Sequence, residues 1–218
     1  MMSRRSTKIV GGWLVLVLGL LPLGGCNLVK AFTLLTAPTT EKVPAEYSHL
    51  TGQRVLVYVW IPTEIAWDYP KIRLDLSASL ANHLHRNVED VTMVDPIRVE
   101  AHLEKSKLSQ PDVTELGRQF RADHVVQVTV YKFSMRDPGL AHYYRGRVGA
   151  SVTVHDLREA DGGSEPFPLG EVVVAVPEES EQPIGYGNIR PDVLRQETYR
   201  VFTVELGKKF HVYERPVG

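Results

Sequence analysis

One thiol, eight imidazoles and two glycine-rich runs are the groups in this 218-residue chain from which covalent or metal chemistry would start. Gly162-Gly163-Ser164-Glu165-Pro166 has proline where a nucleophile elbow needs its last glycine. Gly185-Tyr186-Gly187-Asn188-Ile189-Arg190 has arginine where a dinucleotide loop needs its third glycine, and no strand leads into it. There is no Gly-Lys-Ser/Thr phosphate loop in the sequence. His83 and His85 lie two apart on an expected helix and so point to different sides; His83 reads as a packing residue beside Leu76 and Leu80. His102, His124, His142 and His155 fall on separate elements. No catalytic residue, cofactor or metal set is expected from these patterns.

The thiol, Cys26, has a distinctive setting. Upstream of it come Arg4, Arg5 and Lys8, an apolar run from Ile9 to Leu21, Pro22, and then Leu23-Gly24-Gly25. This is the layout of a secretory signal peptide. The apolar run is 13 residues long, whereas spanning a bilayer as a helix takes roughly 20. Leu23-Gly24-Gly25-Cys26 resembles the lipobox of bacterial lipoprotein precursors. The resemblance implies a diacylglyceryl group on the Cys26 sulfur, cleavage between Gly25 and Cys26, and a further acyl chain, such as palmitate, on the freed amine. Two or more chains would hold the protein stably to a membrane. Asn27 is not the aspartate that favours inner-membrane retention, so the expected address is the outer membrane, facing the periplasm. The alternative is an ordinary buried thiol in a signal peptide cut elsewhere.

Removing residues 1–25 leaves 193 residues with 22 basic and 26 acidic side chains. That length suits one domain. A mildly acidic surface has no electrostatic reason to seek nucleic acid. With Cys26 carrying lipid no disulfide can form, and a chain 43% hydrophobic and 23% charged must hold together through its core.

Residues 26–50 read as the lipidated cysteine and a tether, rich in threonine and proline, with at most a short helical turn at Ala31–Leu35. A single domain is expected over 51–218. Val55–Ile61 is continuously apolar, as a strand covered on both faces would be. Ile72, Leu76, Leu80 and Leu84 form a helix stripe, and Val91–Val94 a short strand. Asp95-Pro96 and Pro111 open two further helices. Val125–Phe133, Tyr143–Leu157 and Glu171–Val176 are strands, the latter two joined through the turn Asp161-Gly162-Gly163-Ser164. In Tyr143–Leu157, Tyr144, Val148, Ala150, Val152 and Val154 face one way; Arg145, Arg147, Ser151, Thr153 and His155 face the other, which reads as wet. A polar loop spans Pro177–Arg190. Pro191 opens a last helix, although Thr198, Val201, Thr203 and Val204 would equally suit a strand. The order predicts an α/β (α+β) fold: a mixed sheet of about five strands with helices packed on its faces.

From Arg54 to Leu157 this order is similar to a group of envelope domains: those of the curli-secretion lipoprotein, the lipoprotein activators of penicillin-binding proteins, and the N-terminal domain of the Tol-system propeller protein. The run Leu116-Gly117-Arg118-Gln119-Phe120-Arg121-Ala122-Asp123 carries most of that likeness. The resemblance implies a non-catalytic assembly or regulatory module. The chain lacks the long glycine-rich insertions that make the curli protein a pore.

Two features suggest a partner surface. Thr63–Tyr69, with Glu64, Trp67, Asp68 and Tyr69, comes after the carboxyl end of the first long strand, where open α/β sheets place ligands; the plainer reading tucks Trp67 and Tyr69 over the core. Arg145 and Arg147 stand beside Tyr131 on the expected wet face. The chain is therefore expected to be a lipid-anchored envelope accessory protein that binds a protein partner. The alternatives are a periplasmic hydrolase and a carrier for an apolar ligand.

Overall fold

The computed structural model describes residues 40–106, 111–137, 139–140, 142–158 and 165–217. The signal peptide, Gly25 and Cys26, the turn Asp161–Ser164 and the Ala31–Leu35 segment lie outside them. A two-stranded ribbon pairs β1 (Thr40–Val43) with β8 (Tyr213–Pro216). The body, Val43–Tyr213, is a separate compact unit.

The body is built on a mixed sheet. Its strands are β2 (Arg54–Trp60), β3 (Thr92–Met93), β4 (His124–Arg136), β5 (Tyr143–Asp156) and β6 (Phe167–Val176), in the spatial order β3-β2-β4-β5-β6. A two-residue strand, β7 (Ile184–Gly185), pairs with the start of β5. β2 is parallel to both β3 and β4, and β4, β5 and β6 form an antiparallel meander. Five residues of β2 in a row, Val55–Val59, are buried, as an interior strand with helices on both faces requires. The expected five strands are present, and β2 is interior, between β3 and β4.

One face of the sheet packs on α2 (Ile72–Asn87) and α5 (Pro191–Gly207). Ile72, Leu76, Leu80 and Leu84 form the buried stripe of α2, and Leu194, Phe202 and Leu206 that of α5. The β-branched residues that make α5 ambiguous in sequence are accommodated locally. Thr198 Oγ1 donates to the Leu194 carbonyl at 2.7 Å and Thr203 Oγ1 to the Tyr199 carbonyl at 2.9 Å, so buried hydroxyls find partners inside the helix. Tyr47 and Leu50, which the sequence places in the tether, are core residues of this layer.

On the other face α3 (Pro96–Ser106) and α4 (Val113–Gln119) cover Leu56, Tyr58 and Val125. The Leu-Gly…Arg-Ala-Asp run has a geometric reason. A Cβ on Gly117 would lie 2.3 Å from Leu157 Cδ1 and 2.6 Å from Val125 Cγ2, so only glycine lets α4 lie this close to the sheet. Asp112 caps the helix start, accepting from the Thr114 and Glu115 N–H groups at 2.8 and 3.0 Å. Arg121, at φ 53°, turns the chain after the helix, and Asp123 Oδ2 accepts from the Arg54 N–H at 2.7 Å, tying the start of β4 to the start of β2.

Thr63–Asp68, expected as a loop, is a short helix, α1. Its first turn closes through the Ile65 and Ala66 N–H groups, which donate to the Pro62 carbonyl at 3.1 and 3.0 Å. Among the described residues no helix is long and apolar enough to cross a membrane.

Candidate interaction surface

Because β2 and β4 run parallel, their carboxyl ends and the segments leaving them gather at one end of the sheet. α1 comes directly after β2, and the hairpin between Asp137 and Tyr143 comes directly after β4. Tyr69 joins the two, its ring edge-on to Phe133 with centroids 4.6 Å apart. β7 reaches the same end, where the Tyr186 N–H donates to the His142 carbonyl at 3.0 Å, and the Phe133 ring lies 5.8 Å, centroid to centroid, from that of Tyr199 midway along α5.

This end carries large apolar side chains in water. Trp67 on α1 is 82% exposed, and Leu140, Tyr143 and Tyr186 are exposed at the hairpin tip and the β7 turn. Tyr186 stacks on Tyr144 at 4.2 Å with the rings 25° apart, and His142 meets it edge-on. These rings are therefore held in fixed orientations. An indole exposed to this degree has few packing contacts to account for it.

The opposite end is closed by the entry and exit of the body. Tyr47 reaches His124 at the first residue of β4, its hydroxyl 3.3 Å from Nδ1, and the Tyr47 N–H donates to the Lys209 carbonyl at 2.9 Å. His124 is completely buried; its Nε2 has no hydrogen-bond partner and its Nδ1 lies 3.9 Å from Asp156. Burial pushes the His124 pKa down, outweighing the upward pull of Asp156. The Arg158 guanidinium holds the Asp156 carboxyl down, to about 2.

The sequence-derived surface divides into four parts. Glu64, Trp67 and Asp68 are exposed on α1. Tyr69 is half-buried against Phe133 and acts as the joint under that rim. Tyr131 stands on the part of the second face that α3 and α4 leave uncovered, its hydroxyl donating to Glu171 at 2.8 Å.

Arg145 and Arg147 are not on an open face. They are 3% and 7% exposed, because the Pro177–Gln182 segment folds back over them. Arg145 donates to the carbonyls of Pro177 at 2.8 Å, of Glu178, and of Glu181 at 2.7 Å, and to Asp137 at 2.9 Å. Arg147 forks onto Glu179 at 2.5 and 3.0 Å and reaches Asp137 at 3.3 Å. The Arg145 guanidinium beside Asp137 holds its carboxyl below the usual range, and Arg147 does the same for Glu179. The alternation along β5 does separate an apolar from a polar side; a loop returning from beyond β6 then covers the polar side, which alternation cannot reveal. Leu140, Tyr143 and Tyr186 do not stand out in the sequence. Their one signal there is an apolar residue set among turn residues, as in Pro138-Gly139-Leu140 and Gly185-Tyr186-Gly187.

A cleft of about 360 Å³ lies between β6 and α5, lined by Lys132, Arg147, Val173, Glu179, Val201 and Glu205, with a second of about 310 Å³ further along the same edge. Among the described residues no three His, Cys, Asp or Glu side chains converge as a metal set.

No protein family matches the sequence, and no curated protein matches it. Solved structures with a similar arrangement of elements exist at low identity. The PelC dodecamer from Paraburkholderia phytofirmans is 12% identical with a TM-score of 0.44, over 79% of this chain and 97% of that one. Lipoprotein GNA1162 from Neisseria meningitidis is 14% identical with a TM-score of 0.40, over 71% and 98%. A minor lipoprotein from Acinetobacter baumannii is 12% identical with a TM-score of 0.33, over 72% and 91%. At these values no residue role passes from them to this chain.

Proposed function

We propose that this chain is a lipid-anchored accessory protein of the bacterial cell envelope, held at the outer membrane and facing the periplasm by acyl chains on Cys26. It docks another envelope protein through the end of the sheet that carries Trp67, Leu140, Tyr143 and Tyr186, and it works without catalysis. The observation that carries this reading is the 82% exposure of Trp67 at that end, with rigidly stacked tyrosines. Aromatic anchors of this kind dominate the energetics of protein interfaces. The chain enters the body at the opposite end, where Tyr47 meets His124. The charged groups support the same reading: Arg145, Arg147, Asp137 and Glu179 hold a loop and leave no free acid-base pair among themselves.

The test uses a photo-reactive residue in the full chain in its native membrane, placed at Trp67 and, as a control, at exposed Val212. The reading expects one discrete protein adduct from position 67 and none from 212. It also expects Trp67→Ala to keep its stability to within about 0.5 kcal/mol, as exposed sites do, while losing the adduct formed from a reactive group at Tyr143. Equal labelling from both ends, or a membrane-free soluble chain with Cys26 unmodified, would overturn it.

A further inference from the structure

Two imidazoles from distant parts of the chain meet beside the carboxyl half of α2. His83 projects from that helix, and His211 lies just past the end of α5, 128 residues later. Their Nε2 atoms are 3.1 Å apart and their rings are tilted by 40°. The place is shaped for His83: a Cβ on Gly207 would lie 2.2 Å from its Cδ2 and 2.3 Å from its Nε2, so α5 admits the ring only through a glycine. His211 Nδ1 donates to the Val212 carbonyl at 3.0 Å, which fixes its proton there and leaves Nε2 as an acceptor facing His83.

We propose that His83 and His211 form a two-histidine site for a divalent transition metal of the zinc, nickel or copper class. Two ligands at the usual zinc–imidazole distance of about 2.0–2.1 Å and separated by 3.1 Å subtend about 100° at the ion. That lies between the square-planar and tetrahedral values these metals adopt. The His211 hydrogen bond to a backbone carbonyl is the outer-shell contact that orients metal-bound imidazoles. Imidazoles ligate in the neutral form, so protons compete with the ion in acid. Two imidazoles without a carboxylate do not suit calcium or magnesium, which take oxygen ligands. No third His, Cys, Asp or Glu joins the pair among the described residues, so the remaining positions go to water. Without metal, His83 carries its proton on Nε2 and donates to His211; with metal that proton moves to Nδ1, and none is lost from the pair. The ion would tie α2 to the segment that leaves α5.

Calorimetric titration with zinc chloride tests this on the full chain extracted in detergent, at about pH 7.5 and about pH 5.5, either side of the ordinary histidine value. One equivalent should bind at the higher pH and bind markedly more weakly at the lower. His83→Gln and His211→Gln should each weaken binding at least about tenfold. Because His83 is packed against α5 and its replacement can disturb folding, the half-exposed His211→Ala is the decisive variant, with circular dichroism to confirm its fold. Zinc should also raise the unfolding midpoint of the parent and leave that of His211→Ala unmoved. Unchanged affinity in His211→Ala, or no saturable binding to the parent at millimolar zinc, would overturn the proposal.

Discussion

Replacing His124 by leucine should flatten the acid side of the stability curve. His124 is wholly buried, its Nε2 meets no partner, and burial lowers its pKa below the ordinary 6.5 despite the nearby Asp156. The folded protein therefore binds fewer protons than the unfolded chain once the pH drops below about 6.5. The neutral ring's contribution is complete above that value and is lost as the pH falls towards the folded pKa. One such group can change stability by at most about 1.4 kcal/mol per pH unit. Between about pH 7.5 and 5.5 the His124 share is therefore up to about 1.4 kcal/mol. His83 and His155 are also lowered by burial, but both are part-exposed and both persist in the variant, so they set a common background. Asp156 acts in a different window. Its folded pKa of about 2 lies below its ordinary 3.8, so its contribution is complete above that value and falls away only under more acid conditions. Urea unfolding at half-unit pH steps, with the denaturant slope checked for constancy, compares the parent with His124→Leu. Equal losses of stability in the two proteins between about pH 7.5 and 5.5 would refute the reasoning.

Gly117→Ala should destabilise the body by about 1–3 kcal/mol, the usual result of forcing a methyl into a packed core. Here it meets the Leu157 and Val125 side chains at 2.3 and 2.6 Å, and an unchanged urea midpoint would sink that account. Arg145→Met should free the Pro177–Gln182 segment by removing the donor to three carbonyls. The expected loss is of order 3 kcal/mol for the charged hydrogen bonds that go with the guanidinium, with new cleavage by a broad-specificity protease within residues 177–182. A segment equally resistant in parent and variant would show that Arg145 does not hold it.

The layering of the body is legible in the sequence wherever a periodic pattern meets a buried face. Val55–Trp60 reads as a strand because every residue must be apolar between two helical layers, and Ile72, Leu76, Leu80 and Leu84 read as a helix because one face alone must be. The hidden features come from chain segments meeting across long separations. Arg145 and Arg147 occupy the polar side of an alternating strand, and nothing in that alternation says that residues 177–182 return to cover them. Tyr47 and Leu50 sit in a stretch without period, since a segment that crosses the end of a sheet needs only isolated anchors. His83 and His211 cannot be paired from their positions either, and Gly207, whose missing side chain makes room for the ring, reads in sequence as an ordinary glycine at a helix end. At the aromatic end, Trp67 stands out by residue type, but nothing in the local pattern says that it is exposed.

The parallel pairing of β2 with β4 also bears on the order in which the chain can fold. Arg54 and Asp123 are 69 residues apart, so the apolar strand β2 is synthesised long before β4, its longer partner, exists. The meander β4-β5-β6, by contrast, closes through neighbouring segments and incurs little loop entropy. β2 and α2 must therefore wait, with Leu56, Val57, Tyr58 and Val59 uncovered on at least one side, until β4 arrives. A nascent chain stopped before residue 124 would have β3 on one edge of β2 but leave the edge that β4 pairs with open, a form prone to aggregate. The half-made protein therefore exposes β2 along the edge that β4 later covers.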